Sequence, residues 1–496
     1  MNFFRRKSKD PELDEVNRTP KAVKRNISDK EFLEAEIDSW LKSRERKAMI
    51  TGESYYIGRH DILDRKRTAI GKDGKLEEVK NLPNNKIIDN QYAKMVDQKT
   101  NYLLGQPLTF DTENKSYEAA LSEVFDKRFH RTLKNLGENA LNCGIAWLYP
   151  YYDEDGELNF MRFEPYEILP MWADAEHTKL DMIIRVYEVI VYESTEPDIK
   201  TKVEVYYPDK IEKYDYTDGL LIPDAEAPVS DYVVFEDESG AAGYNWGRVP
   251  VVAFKYNNRE TPLIRRVKSL QDAINVMISD FGNNMQEDSR NTILVIKNYD
   301  GESLGDFRKN LATYGAVKVR TVDGADGGVD ALTVQVNSEN YKAILELLKK
   351  ALIENAMGYD AKDDRLGSNA NQINIRSMYS DIDLDANNME TEFQAAFEDL
   401  LELLNMHFIN RGIGDFSKDE VNIIFNRDML MNESEVIDNC AKSLGILSEE
   451  TVVANHPWIS DLDKEMAKLK EQKEAEAAQY NPFSVPNSGA LNESQE

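Results

Sequence analysis

Apolar positions in this chain recur most regularly between Ser338 and Gly412. Tyr341, Ile344, Leu345, Leu348 and Leu352 fall every three or four residues, with Lys342, Glu346, Lys349 and Lys350 between them, which predicts a helix with one apolar side. Asn337 or Ser338 can cap its start, and Gly358 supplies a stop. The next stretch, Tyr359 to Gln372, is too polar to bury. Beyond it Ile382, Ala386, Met389, Phe393, Phe397, Leu400, Leu404 and Phe408 keep the same step, and no proline or glycine intervenes before Gly412. Ile373 to Arg411 is therefore expected to form one helix of roughly 58 Å, at about 1.5 Å per residue. Domain helices usually run about three to four turns. The residues between the apolar positions are Asp381, Asp383, Asp385, Asn387, Asn388, Glu390 and Glu392, so only a narrow stripe can pack while the other faces meet water or polar surfaces. Either the helix spans a large α-rich protein, or it is a rod packed beside copies of itself, with the polar loop thrust into open space.

The rest of the chain alternates between helical and extended patterns. Residues 1–27 are basic and irregular, either an arm that orders against a partner or a plain tail. Ser28 to Met49 reads as an amphipathic helix opened by the Ser28-x-x-Glu31 capping box, followed by a loop-rich link. In the next helix Ile88, Tyr92, Met95, Val96, Lys99, Tyr102 and Leu103 share a side, and Gly105 and Pro107 end it. A helix is expected over Asn114–Cys143, then an antiparallel sheet rich in tyrosine and β-branched residues over Ile145–Glu236. After the loop containing NWGRVPVVAFKYNN comes a helix over Pro262–Asp288, with Leu263, Val267, Leu270, Ile274, Met277, Ile278 and Phe281 on one face. Residues 291–336 read as a small lobe of strand, short helix, strand, glycine-rich turn and strand. VNIIFN is a further strand, Glu433 opens a helical pair, residues 461–479 form a charged helix, and residues 480–496 are a tail. The class is α+β, and no internal repeat is visible.

Composition narrows the functional classes. The chain has 496 residues, a net charge of −29 and a pI near 4.7. Such an acidic chain does not wrap DNA by neutralising phosphates, although it can offer a low-friction surface beside it. Cys143 and Cys440 lie far apart and suggest reduced, buried thiols. No signal peptide and no membrane span are expected. The chain has no Gly-x-x-x-x-Gly-Lys-Ser/Thr loop, no His-Glu-x-x-His and no Cys-x-x-Cys, and its five histidines (His60, His130, His177, His407 and His456) are scattered. Asp381, Asp383, Asp385 and Glu392 stand at the offsets of a calcium loop, but Ala386 replaces the turn glycine and the helical stripe runs straight through, so a solvated helix face is the expectation. Trp246 is expected to be a packing anchor, with Gly247 and Pro250 setting the turn. Neither an enzyme activity nor a cofactor is expected.

Three blocks, NQYAKMVDQKTNYLLGQPL, NWGRVPVVAFKYNN and VKSLQDAINVMISDFGNNMQEDSRNTILVIKNYDG, together with the helix–loop–helix, resemble the portal proteins of tailed bacteriophages. They are similar in particular to portals of long-tailed phages of Gram-positive bacteria, and the resemblance covers about Ile88 to Leu447.

That resemblance implies a portal-type ring subunit, usually a dodecamer, at one capsid vertex. It implies a wing (28–261 and 373–432, including the long tunnel helix), a helical stem (262–290 and 337–358), an α/β clip (291–336), a tunnel loop (359–372) and a helical crown (433–479). The clip would bind the terminase large subunit and later the head-completion adaptor, for which Asp306, Arg308, Lys309, Lys318 and Arg320 are the candidates. Major capsid and scaffolding proteins, and viral double-stranded DNA in the channel, would be the other partners. The location would be the virion, with the host cytoplasm during assembly. Lys362 and Arg365, with Asn369 and Asn371, would line the constriction; alternatively the two cations are solvated loop charges paired with Asp360, Asp363 and Asp364. In the stem Lys342, Lys349 and Lys350 would face the channel or pair across subunits with Glu346 and Glu354. Two rival readings are an acidic adaptor of another large assembly without DNA passage, and a nuclease built on its many carboxylates.

Overall fold

A computed structural model describes residues 28–70, 74–79, 82–192, 197–237, 240–288, 292–297, 328–333, 338–360, 372–427, 433–459 and 462–479, with a few single positions between 303 and 324. The chain divides into two units, Met1–Tyr359 with Asp381–Asp428, and Asp360–Ser380 with Met429–Glu496.

The larger unit opens with α1 (Asp29–Leu41), whose capping box forms as expected: Ser28 Oγ accepts from Glu31 N–H at 3.2 Å, and Glu31 Oε2 accepts from Ser28 N–H at 2.8 Å. The helix does not continue to Met49. Ser43 accepts from Arg46 N–H at 3.0 Å and starts α2 (Arg44–Tyr56), because a serine hydroxyl offers the backbone a cap in place of a helical bond. α2 also absorbs the TGESYY stretch that the sequence suggested as a link. A hairpin, β1 (Thr68–Ile70) with β2 (Leu76–Glu78), precedes an extended run over residues 82–90 and then α3 (Gln91–Leu104). After β3 (Thr109–Asp111), the expected single helix is split into α4 (Lys115–Val124) and α5 (Lys127–Cys143). Asp126 causes the break by accepting from Arg128 N–H at 2.8 Å and Phe129 N–H at 2.9 Å. Gly144 then turns left-handed at φ +88°, where a Cβ would collide with the Glu260 carbonyl oxygen at 2.2 Å.

The expected sheet is two antiparallel sheets and a hairpin. β4 (Ile145–Tyr152) pairs with β5 (Leu158–Phe163). The larger sheet holds β6 (Ile168–Trp172), β7 (Leu180–Val191), β8 (Asp198–Tyr206), β9 (Ile211–Thr217) and β10 (Leu220–Pro223) in the order β10-β9-β8-β7-β6, with β11 (Val229–Ser230) on β9. β12 (Val233–Asp237) and β13 (Gly240–Tyr244) form the hairpin. The stretch expected as a loop supplies β14 (Val252–Lys255), which completes the smaller sheet by pairing Val252 with Leu148. Trp147, Phe163, Ile183, Ile184, Val203 and Val205 of these strands belong to one buried core, which Leu33 and Ile37 of α1 share.

Two long helices follow, α6 (Ile264–Asp288) and α7 (Ser338–Asn355), and they pack on each other. Between them β15 (Thr292–Lys297) and β16 (Gly328–Thr333) pair antiparallel; the expected middle strand falls largely outside the described residues. The long helix exists as α8 (Gln372–Asn410), 39 residues without interruption. All eight stripe residues from Ile382 to Phe408 are buried. β17 (Asn422–Ile424) returns to pair with β3. In the smaller unit α9 (Glu433–Ser443), α10 (Glu449–Ala454) and α11 (Leu462–Gln479) follow, and Ser448 caps α10 by accepting from Thr451 N–H at 3.2 Å.

Candidate functional site

Beyond the buried apolar residues Ile264, Val267 and Ile274, α6 buries a row of polar side chains. Gln271, Asn275 and Ser279 have no exposed surface and Asn283 has 2%, and the four are spaced by one turn. The extended run that enters α3 lies antiparallel along them. Asn283 Oδ1 accepts from Asn85 N–H at 2.7 Å, Ser279 Oγ from Ile87 N–H at 2.9 Å, and Asn275 Oδ1 from Asp89 N–H at 3.1 Å. Gln271 completes the ladder, accepting from Tyr92 N–H at 2.9 Å and donating to the Asp89 carbonyl at 2.8 Å. Alternate amides of an extended chain point the same way about every 6.6 Å, and side chains four apart on a helix repeat about every 6.0 Å, so the two patterns coincide. The spare hydrogens of Asn275 go to His60 Nδ1 at 2.8 Å, while His60 Nε2 sits 2.9 Å from the Tyr55 carbonyl. Burial pushes the His60 pKa down, consistent with a neutral imidazole donating through Nε2.

At the other end of α3 a buried ion pair joins several elements. Lys99 donates to Asp385 of α8 at 2.7 Å, with both side chains nearly inaccessible at 4% and 6%. Lys99 also donates to the Met357 carbonyl at 3.0 Å. Asp385 accepts the Tyr256 hydroxyl at 2.7 Å and Arg266 of α6 at 3.3 Å. Burial pushes the Lys99 ammonium below its ordinary value, with Asp385 offsetting part of it. A buried pair is tolerated where its remaining donors and acceptors are also satisfied, as here. Two residues along α8, Asp383 accepts the Tyr102 hydroxyl and Arg427 at 3.0 Å, and Arg427 reaches on to Glu390 at 2.5 Å and Asn387 at 2.5 Å. The acidic run on α8 is therefore only in part the solvated face expected from sequence: Asp381 is exposed, whereas cations and hydroxyls from α3, α6 and the segment after β17 engage Asp383, Asp385 and Glu390. Among the described residues, no group of three or more His, Cys, Asp or Glu is placed to hold a metal ion.

The exit from α7 is shaped on the same turn of α3. Met357, not Gly358, adopts the left-handed conformation, at φ +53°. The Gly358 N–H bonds the Ile353 carbonyl at 3.0 Å and the Met357 N–H bonds Glu354 at 3.0 Å, which is a Schellman ending. Gly358 is closely packed: a Cβ there would stand 2.7 Å from Met95 Sδ and 2.8 Å from Gln98 Oε1, so those two side chains would have to shift to admit it. Gln98 then clasps Tyr359, donating to its carbonyl at 2.9 Å and accepting its N–H at 3.0 Å.

The residues singled out from sequence are distributed unevenly. Lys349 pairs with Asp89 of its own chain at 2.5 Å, so the same strap that α6 holds is also tied to α7. Lys342 lies 4.0 Å from Glu346, and both are well exposed. Lys350 and Glu354 are exposed. Arg320 is exposed. Asp306, Arg308, Lys309, Lys318, Lys362, Arg365, Asn369 and Asn371 lie outside the described residues. Trp246 is buried and stacks on Tyr152 at 5.7 Å, and the Tyr152 hydroxyl bonds His407 near the end of α8. Cys143 and Cys440 are buried free thiols. The hub was not recognised from sequence, although Lys99 on an apolar helix side was a visible sign of it.

Comparison with known proteins identifies the family. Residues 41–479 match the family model described as "Phage portal protein, SPP1 Gp6-like". The chain is 28% identical over 445 residues to "Portal protein" of Bacillus phage SPP1, covering 88% of this chain and 86% of that one. It is 28% identical over 456 residues to "Portal protein" of Clostridium phage phiCD119, covering 88% and 96%. The matched range takes in α6, α7, α8 and both halves of the buried hub. The chain belongs to the SPP1 Gp6-like family of phage portal proteins.

Proposed function

We propose that this portal protein assembles into a closed ring at one capsid vertex, the channel through which viral double-stranded DNA is packaged and ejected. Family membership supports the structural, virion role, and one feature of the isolated chain supports the ring. The α6–α7 pair leaves Ile344 45%, Leu347 67% and Met285 53% exposed, so its apolar surface is only half covered by its own chain. Exposed apolar faces of this kind mark surfaces that other chains cover. In this reading α6 and α7 form the stem, residues 291–336 the clip that docks the terminase large subunit and later the head-completion adaptor, and residues 28–261 most of the wing. Residues 359–372 are the tunnel loop, with Lys362 and Arg365 making transient phosphate contacts. α9 to α11 are the crown, where Leu444, Ile446 and Trp458 stand exposed. Acidity suits the channel: with −29 charges per copy, phosphates are repelled and no deep well traps the DNA. Motor activity belongs to the terminase partner.

Negative-stain electron microscopy of the purified full-length chain tests this directly. Annular particles with a central hole are expected. A compact, solitary particle at every salt and concentration would overturn the reading.

A further inference from the structure

The chain crosses between its two units at three places, after Tyr359, before Asp381 and after Asp428. Within the larger unit, one turn of α3 reaches each of these places. Gln98 holds Tyr359 by both backbone groups. Its neighbour Lys99 takes the Met357 carbonyl and Asp385 together. Tyr102, one turn beyond Gln98, donates to Asp383. The third crossing is held at one remove, because Arg427, just before it, binds the same Asp383 and extends to Glu390.

We propose that Gln98, Lys99 and Tyr102 form a positioning bracket that couples the three crossings, so that none can shift without the others. Three observations carry this. The acceptors are shared: Asp383 serves Tyr102 and Arg427, and Asp385 serves Lys99 and Arg266. The bracket is tightly packed, since Lys99 is buried and Gly358 lies directly against Met95 Sδ and Gln98 Oε1, which would have to shift to admit a methyl group. Its base is fixed, because Tyr92, Met95 and Val96 have no exposed surface and Tyr92 N–H is held by Gln271 of α6. Discrete packed arrangements of this kind transmit displacement as a unit, not in graded steps. The bracket's consequence for DNA rests on the portal reading: the approach to the constriction and the root of the crown would change together during packaging. The bracket itself does not depend on it.

Hydrogen–deuterium exchange on the full-length protein separates the two. Tyr102→Phe removes a single hydroxyl and keeps the ring, so the fold survives. Exchange should rise about tenfold in residues 381–390 and also in 356–360 and 422–427, with the melting transition still cooperative, as expected when a hydrogen bond to a charged group is lost from a coupled unit. Gln98→Leu should loosen 356–360 and 381–390 together. If each variant alters only the segment its own side chain touches, or alters none, the bracket is wrong. Wild-type protein that forms no ring would remove the portal reading while leaving the exchange result intact.

Discussion

Glu53 shows at a single residue how burial and charge oppose each other in this protein. Burial pushes its carboxyl group up from the usual range and Glu164 adds repulsion, while Cys143 Sγ, 3.6 Å away, gives only a weak hydrogen bond in return. A carboxyl whose pKa is higher folded than unfolded stabilises the protein most below its unfolded value, about 4.3, and that contribution is lost as pH rises through the folded value. Glu53→Gln should therefore raise stability more at about pH 8, where the wild-type carboxyl is charged, than at about pH 4. Thermal melts at the two pH values check this; a gap that does not widen with pH would mean the carboxylate is well solvated. Single residues were partly legible in the sequence. The Ser28–Glu31 cap and the buried cysteines follow from local chemistry. Lys99 was visible on an apolar face, but its partner Asp385 is 286 residues away, and no local pattern links the two.

At the scale of elements, helix type and order were legible because periodicity is local. Helix ends were less so: Ser43 and Asp126 each split a predicted helix, because a cap side chain competes with continuation whatever the apolar stripe suggests. The harder case is α6. Of its expected apolar face Leu263, Val267 and Ile274 are buried, yet the amide and hydroxyl series from Gln271 to Asn283 is buried just as deeply. A four-residue repeat of polar side chains looks the same in sequence whether it faces water or an extended strap. Asn275→Ala strips partners from both Asp89 N–H and His60, and should cost about 2–4 kcal/mol; Ser279→Ala strips one amide and should cost about 1 kcal/mol. Denaturant melts rank the two, and equal small losses would show that water replaces the side chains.

For the whole molecule, the sequence exposed the family because its motifs bear the fold. It could not reveal which surface of the α6–α7 pair stays bare, since that depends on how α6 covers α7. Ile344 and Leu347 project from α7 while Leu352 and Ile353 are buried further along. Changing Ile344 and Leu347 together to lysine should leave circular dichroism unchanged and shift the protein from ring to monomer in light scattering. Rings that persist would place the contact elsewhere. Rings of the wild-type chain should tighten with added salt, because −29 charges per copy repel and the screening length falls from about 30 Å at 0.01 M to about 10 Å at 0.1 M. No helix among the described residues is long and apolar enough to cross a membrane.

The strap on α6 also acts as a ruler. Its two repeats, about 6.0 Å and about 6.6 Å, stay commensurate for only a few rungs. The pairing advances by two residues from Asn85 to Ile87 to Asp89, then by three to Tyr92, where the chain has already turned into α3. Extra residues inserted there cannot lengthen the ladder and must loop out, so the spacing between the hairpin before the strap and the helix after it is set by arithmetic.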